Sequence, residues 1–145
     1  RQEILGEPNG ILVIEDFAHH PTAVKETIAG IRSKYPDRKL ITVFEPRSAT
    51  SRRKVFQKDY VQAFQKSDDI VLMEAFDTSK IDEGNRFSSA ELVQDLNSNN
   101  KKANCYSAVE NIVQYLKSES KPKDIILIMS NGGFDGIYEK LMKVL

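Results

Sequence analysis

The chain alternates short, continuous apolar runs with stretches in which apolar residues recur every three or four positions. Continuous apolar runs bounded by turn residues are typical of buried strands, and the three-to-four spacing is typical of amphipathic helices. Strands are predicted at 40–44, 69–73 and 125–129, with a weaker one at 103–106. Helices are predicted from Pro21 to just before Tyr35 and at 51–66, 88–96, 108–116 and 136–145. The connection at 75–87 shows no clear period.

The first two apolar runs, at 2–6 and 11–14, flank a turn that contains Asn9 and Gly10. Asn-Gly is the strongest short hairpin signal, so these runs predict an antiparallel pair. Strand and helix then alternate, which favours a mostly parallel sheet. We therefore predict one α/β domain over residues 1–145. Its architecture is Rossmann-like and three-layered, with a twisted sheet of about six strands, helices on both faces and an opening hairpin.

A helix start is marked at residues 88–91, which read Ser-Ser-Ala-Glu. In such a capping box the serine hydroxyl accepts from the amide three residues on, and the glutamate reaches back to the serine amide. The pattern predicts both bonds.

Composition narrows the possible partners. The 145 residues are 40% hydrophobic, as in one ordinary soluble domain, and the 21 basic and 21 acidic residues cancel. Without a global charge, neither a nucleic acid nor a membrane is an expected partner, and no apolar stretch is long enough to span a bilayer. The lone Cys105 indicates a reducing, cytoplasmic compartment and a half-buried place in a strand. The start at Arg1 suggests a piece of a longer protein.

The turn after the second apolar run, residues 14–22, reads Ile-Glu-Asp-Phe-Ala-His-His-Pro-Thr. Metal ligation by Asp16, His19 and His20 is disfavoured, because adjacent histidines seldom reach one ion. Base catalysis lacks a nucleophile at a recognisable elbow. Two interpretations stay open. Asp16 accepts from ribose hydroxyls beside the histidines, or Asp16 and Thr22 simply cap the next helix.

Two further turns combine polar residues at a strand end. Arginine pairs bidentately with carboxylate or phosphate, so Arg47 and Arg52 indicate an anionic substrate group. In the third turn, residues 130–133 read Ser-Asn-Gly-Gly, and the glycines let a ligand approach the backbone. A tight reversal of the chain would by itself explain Gly136. The sequence contains no P-loop.

Together the three turns resemble the carboxyl-terminal domain of the Mur ligases, which build and recycle peptidoglycan peptides. The first turn is similar to that family's Asp-Asp-Tyr-Gly-His-His-Pro-Thr, with Glu15 replacing the first aspartate and Phe17-Ala18 replacing Tyr-Gly. Glu-Pro-Arg-Ser at 45–48 and Met-Ser-Asn-Gly-Gly-Phe at 129–134 resemble the members that recycle a tripeptide.

The resemblance implies the closing domain of a three-domain enzyme, with an amino-terminal domain for UDP-N-acetylmuramate and a central ATPase domain. In the family, ATP with Mg²⁺ activates the sugar carboxylate as an acyl phosphate, and the tripeptide L-alanyl-γ-D-glutamyl-meso-diaminopimelate supplies the amine. Neither a metal ligand nor a tightly bound cofactor is expected in this domain alone, nor is a complete catalytic set.

The resemblance also implies roles for single residues. The nucleotide is expected at Arg1, Asp16, His19 and His20. The peptide substrate is expected at Arg47, Ser48, Thr50, Arg52, Ser130, Asn131, Gly132 and Gly133. The alternatives are an L-alanine-adding ligase of the same family, a metal-dependent phosphoesterase using Asp16 and the histidines, and a non-catalytic nucleotide-binding module.

Overall fold

The computed structural model describes residues 2–46, 56–74, 88–130 and 132–145. Six strands in this part form one sheet: β1 (Glu3–Gly6), β2 (Leu12–Asp16), β3 (Leu40–Phe44), β4 (Asp69–Met73), β5 (Lys102–Tyr106) and β6 (Ile125–Met129). The α-helices of the described residues are α1 (Pro21–Lys34), α2 (Gln57–Ala63), α3 (Ser89–Ser98), α4 (Val109–Glu119) and α5 (Ile137–Val144).

The sheet has the strand order β1-β2-β6-β3-β4-β5. Only β1 is antiparallel to its neighbour, and all other pairs are parallel. The chain steps from β2 to β3 to β4 to β5 through α1, α2 and α3, and then returns through α4 to place β6 between β2 and β3. Right-handed crossovers in opposite directions put their helices on opposite faces. The predicted α/β fold, including the opening hairpin, is confirmed.

The core is divided by the sheet into two layers. Alternate strand residues point to opposite faces, so Ile14 packs with α1, α2 and α3, while Val13 packs with α4 and α5. Strands β3 and β6 are buried on both faces, which explains why β6 is entirely apolar and β3 is apolar except for Thr42.

The opening hairpin turns at Asn9 and Gly10, whose φ angles are 53° and 79°. Few residues other than glycine and asparagine accept positive φ readily, so the Asn-Gly prediction of an antiparallel pair is confirmed. The turn is a 3-10 helix at Pro8–Gly10, and the pairing register shifts between Ile4 and Gly6.

Helix boundaries follow local signals where those signals exist. Helix α1 begins at Pro21, as predicted, because proline lacks only an N–H that a first turn leaves unbonded. At α3 the Ser88 hydroxyl accepts from the Glu91 amide at 3.1 Å, which confirms that half of the capping box. The Ser88 amide donates to Gln57 Oε1 of α2 rather than back to Glu91.

The second helix ends earlier than predicted. Helix α2 stops at Ala63 instead of residue 66, and Phe64 turns inward to pack on Phe44 with ring centroids 5.7 Å apart. Residues 51–55 and the connection 75–87 lie outside the described residues. Within the described ranges no helix is long and apolar enough to cross a membrane.

Cys105 lies half-buried in β5, as predicted from the sequence. Its thiol donates to Glu74 Oε1 at 3.6 Å. Burial, followed by the nearby Glu74 charge, raises the pKa of the Cys105 thiol. The thiol is therefore a poor nucleophile at neutral pH.

A polar cluster closes the amino-terminal end of β4. The buried Asp69 carboxylate accepts from the Tyr115 hydroxyl at 2.6 Å, and Lys102 Nζ lies 3.7 Å from the same oxygen. Burial and the Asp69 carboxylate raise the pKa of Tyr115 from 10.0 to about 12. Tyr115 is thus a neutral donor that compensates for the burial of a charge.

Tyr115→Phe should lower the free energy of unfolding at pH 8 by about 1 kcal/mol, because Asp69 loses a hydrogen bond at a partly exposed ring. The folded protein holds the Tyr115 proton more tightly than the unfolded chain, so the wild type loses this advantage as pH rises from 10 to 12. Urea unfolding across this range should show the two proteins converging. A gap that stays constant with pH would contradict the assignment.

Candidate active site

The carboxyl ends of β2, β6 and β3 are held level by main-chain bonds that continue beyond the strands. The Ser130 amide donates to the Asp16 carbonyl at 3.2 Å, and the Glu45 amide donates to the Met129 carbonyl at 3.1 Å. The first residue of each following turn is therefore fixed by its neighbours. All three turns begin at one edge of the sheet.

A crevice is expected at this edge. After β2 and β3 the chain crosses to the face of α1 and α2, whereas after β6 it crosses to the face of α5. Adjacent parallel strands whose connections leave in opposite directions define a topological switch point, where α/β proteins bind ligands. Strand β6 makes such a point with both of its neighbours.

Asp16 is 6% exposed at the end of β2. Its Oδ1 accepts from the Ala18 amide at 2.7 Å, which fixes the turn that follows. The alternative that Asp16 and Thr22 cap α1 does not match the structure, because the N-cap residue is His20, whose side chain makes no capping hydrogen bond. Asp16 organises the turn through its bond to the Ala18 amide.

The two histidines of this turn have different surroundings. His19 Nδ1 lies 2.9 Å from the Phe17 carbonyl. A carbonyl can only accept, so the neutral ring carries its proton on Nδ1 and leaves Nε2 as an acceptor. The Tyr60 hydroxyl of α2 donates to the His19 carbonyl. The His20 ring meets the Phe56 ring edge-on at 5.2 Å. Tyr60 of α2 and Phe56, just before that helix, therefore pack against the first turn and support it.

A cavity of about 480 Å³ lies beside this turn. It is lined by Gln2, Asp16, Phe17, Ala18, His19, Ala23, Glu26 and Thr27. Carboxylate and amide groups suit ribose hydroxyls, and the Phe17 ring, which is 65% exposed, offers an apolar face to a base. The lining contains no lysine or arginine among the described residues, so the set fits the nucleoside part of ATP better than its phosphates.

The third turn begins with a buried serine. Ser130 is 1% exposed, and its hydroxyl donates to Glu45 Oε1 at 2.7 Å. Ser130 Oγ in turn accepts from the Gly132 amide at 3.1 Å. A direct hydrogen bond from this hydroxyl to a substrate would require the bond to Glu45 to break.

The chain then makes an unusual left-handed run. Phe134, Asp135 and Gly136 have φ angles of 48°, 47° and 70°. Positive φ is costly for a bulky residue and persists only where packing enforces it. The Phe134 ring is fully buried among residues of α4, α5 and the sheet, which supplies that packing. Strain of this kind is concentrated at binding sites and switches.

Glu15 of β2 and Tyr138 of α5 interact on the α5 face of the sheet. Burial, then hydrogen bonding to Glu3 and the charge of Glu3, raise the pKa of Glu15. Burial, then the charges of Glu15 and Glu45, raise the pKa of Tyr138 to about 12. Tyr138 is therefore a neutral hydrogen-bond partner of Glu15 at physiological pH.

The described residues include Asp16, His19, His20, Ser130, Gly132 and Gly133 of the predicted site. Asp16 and Ser130 are brought into main-chain contact, and the histidines lie in the same turn as Asp16. The remaining predicted residues, Arg1, Arg47, Ser48, Thr50, Arg52 and Asn131, lie outside the described residues. The described part of the chain holds no group of three histidine, cysteine, aspartate or glutamate side chains suited to a metal ion.

Sequence reasoning missed the part played by Glu45, Tyr60 and Tyr138. For Glu45 a signal existed, since a carboxylate directly follows the mostly apolar strand β3 there. Tyr60 and Tyr138 carry no such signal, because each occupies an ordinary position in a helix.

Comparison with known proteins accounts for this arrangement. The family model described as Mur ligase, glutamate ligase domain matches residues 1–132. The chain belongs to the Mur ligase family. Its fold is that of the family's carboxyl-terminal domain.

Among curated relatives of this Mur ligase domain, the UDP-N-acetylmuramate–L-alanine ligase of Clostridium tetani is 36% identical over 91% of the chain and 28% of its own length. The Escherichia coli UDP-N-acetylmuramate–L-alanyl-γ-D-glutamyl-meso-2,6-diaminoheptandioate ligase is 33% identical over 98% of the chain and 29% of its own length. A crystal structure of a murein peptide ligase from Psychrobacter arcticus superposes with a TM-score of 0.82 at 33% identity, covering 98% of this chain and 29% of that one. The domain thus spans less than a third of these relatives.

Gly133 and Gly136 differ in whether the fold requires a glycine at that position. Gly136 has a φ of 70°, so Gly136→Ala should lower the free energy of unfolding by about 1–2 kcal/mol. Gly133 has a φ of −75°, and a Cβ there meets no atom of the described residues within 4 Å. Gly133→Ala should leave stability unchanged or raise it by about 0.5 kcal/mol. Urea unfolding of the purified domain measures both, and equal losses would show that the fold also needs Gly133.

Proposed function

We propose that this Mur ligase domain is the carboxyl-terminal domain of a three-domain, ATP-dependent ligase of peptidoglycan recycling. The complete enzyme joins L-alanyl-γ-D-glutamyl-meso-diaminopimelate to the carboxylate of UDP-N-acetylmuramate. The observation that carries the proposal is the similarity to the murein peptide ligase structure over nearly the whole domain. The Glu-Pro-Arg-Ser and Met-Ser-Asn-Gly-Gly-Phe motifs support the tripeptide as the amine donor.

The L-alanine-adding ligases are the second candidate, because relatives with that activity are as similar in sequence. The second turn favours the tripeptide. In the L-alanine-adding members it typically reads Gln-Pro-His-Arg-Tyr, and here it begins Glu45-Pro46. The substrate assay described below separates the two candidates.

The nucleotide is proposed to bind at the first turn. Asp16 accepts from ribose hydroxyls while its Oδ1 keeps the bond to the Ala18 amide. His19 Nε2 accepts a further hydrogen bond, and the exposed Phe17 ring covers the base. ATP with Mg²⁺, when bound, supplies the phosphoryl group that activates the sugar carboxylate.

The peptide is proposed to bind at the second and third turns. Arg47 and Arg52 pair with its carboxylates, together with Ser48 and Thr50, and the backbone of the turn from Ser130 through Asn131 to Gly133 approaches it closely. Arg1 is proposed to reach the ATP phosphates from the hinge between the domains of the complete enzyme. A domain that completes the site by closing over the two others also excludes water from a hydrolysable intermediate.

Full-length ligase carrying this domain should release phosphate from ATP with UDP-N-acetylmuramate and the tripeptide, but not with free L-alanine. Turnover with L-alanine alone would assign the protein to the L-alanine-adding branch. Silence with both would overturn the ligase proposal and leave a nucleotide-binding module or phosphoesterase to be tested. As a control, the isolated domain should release no phosphate, because the central ATPase domain is missing.

Asp16→Asn in the full-length ligase should raise KM for ATP by about 10-fold, since a neutral amide is a weaker acceptor than a carboxylate. The asparagine oxygen still accepts from the Ala18 amide, so the turn and the KM for the tripeptide should be preserved. Glu26→Gln, which changes another carboxylate that lines the same cavity, is the matched control and should change KM for ATP less than 2-fold. An unchanged ATP KM in Asp16→Asn would remove Asp16 from the nucleotide site.

A further inference from the structure

Glu45 is a buried carboxylate at the candidate site to which the proposed function gives no role. It follows β3 and is 3% exposed. Burying a carboxylate is costly unless hydrogen bonds compensate it. Its Oε1 accepts from the Ser130 hydroxyl at 2.7 Å, across the gap between the ends of β3 and β6.

The direction of this bond fixes the serine hydroxyl. A carboxylate at neutral pH only accepts, so the Ser130 proton points toward Glu45. One lone pair of Ser130 Oγ is then directed to the Gly132 amide, which donates at 3.1 Å. Glu45, Ser130 and Gly132 form a relay of two hydrogen bonds that runs from the end of one strand into the turn after the next.

The relay is not required to hold the strand ends together. The ends of β2, β6 and β3 are already joined by main-chain bonds at Ser130 and Glu45. What the relay adds is a fixed orientation of the Gly132 amide relative to Ser130. Gly132 and Gly133 precede the strained run at Phe134 and Asp135, whose positive φ angles persist only where the surroundings hold them.

We propose that Glu45 is a positioning residue of the ligase site. Through the Ser130 hydroxyl it holds the Gly132 amide in the orientation that receives the carboxylate-bearing amine substrate. This inference rests on the proposed function, because it assigns the turn to the amine substrate. Ser130 then acts through its two internal hydrogen bonds and not as a direct ligand.

The test uses full-length ligase with Glu45→Ala, Ser130→Ala and the double variant. Each single change should raise KM for the amine substrate about 10-fold and leave KM for ATP within 2-fold. Because both changes break one relay, the double variant should be no worse than either single variant. Glu45→Gln keeps an acceptor oxygen and should recover KM to within about 3-fold of the wild type. Glu74→Ala, a carboxylate that follows the neighbouring strand β4, is the matched control and should leave both KM values unchanged.

Additive effects in the double variant would overturn the relay, because Glu45 would then act independently of Ser130. A loss of thermal stability with both KM values unchanged would show a merely structural pair. If Glu45→Ala fails to fold, Ser130→Ala and Glu45→Gln carry the same comparison.

The relay also has a readout that needs no turnover. Hydrogen exchange at the Gly132 amide should be faster in Ser130→Ala than in wild type, and nearly normal in Glu45→Gln. Exchange that is unchanged in Ser130→Ala would overturn the relay even in an active enzyme. A wild type that ligates neither amine would overturn the proposed function and the positioning role together, and faster exchange in Ser130→Ala would then show the relay to be a feature of the fold alone.

Discussion

The functional arrangement depends on a short main-chain ladder that continues beyond the strands. Bonds from Ser130 to Asp16 and from Glu45 to Met129 hold three strand ends level, with β6 in the middle. Because peptide groups and not long side chains make these bonds, the turns start from fixed positions. The first and third turns each add a tie of their own, at Asp16 to Ala18 and at Ser130 to Gly132. Main-chain bonds and these two ties therefore fix the start of both turns.

The frame of the domain could be predicted from local sequence signals. Buried parallel strands read as continuous apolar runs, and Pro21 and the Asn9-Gly10 pair mark a helix start and a hairpin by conformational preferences of single residues. The end of α2 could not be predicted, because Phe64 leaves the helix to pack on a strand residue twenty positions earlier. The Glu45–Ser130 bond joins residues 85 positions apart, so no sequence window contains it.

The third turn shows how a stable frame can hold an unstable conformation. Phe134 takes a left-handed φ that its bulk disfavours, yet its ring is enclosed by the second core layer. The cost of the backbone is offset by apolar burial a few ångströms away. The turn therefore depends on α4 and α5 as much as on its own residues.

The strand order also constrains how the domain comes together. Among the described strands, β2 and β3 share no ladder and are joined through β6, which follows all the other strands of this sheet in sequence. A nascent chain that has not yet extended past residue 129 therefore carries two separate sheet fragments, each with an unpaired inner edge. Long-range parallel pairing is slow, and open strand edges favour aggregation. Synthesis of residues 125–129 is what allows the two sheet fragments to join, so termination before them would leave the sheet in two parts.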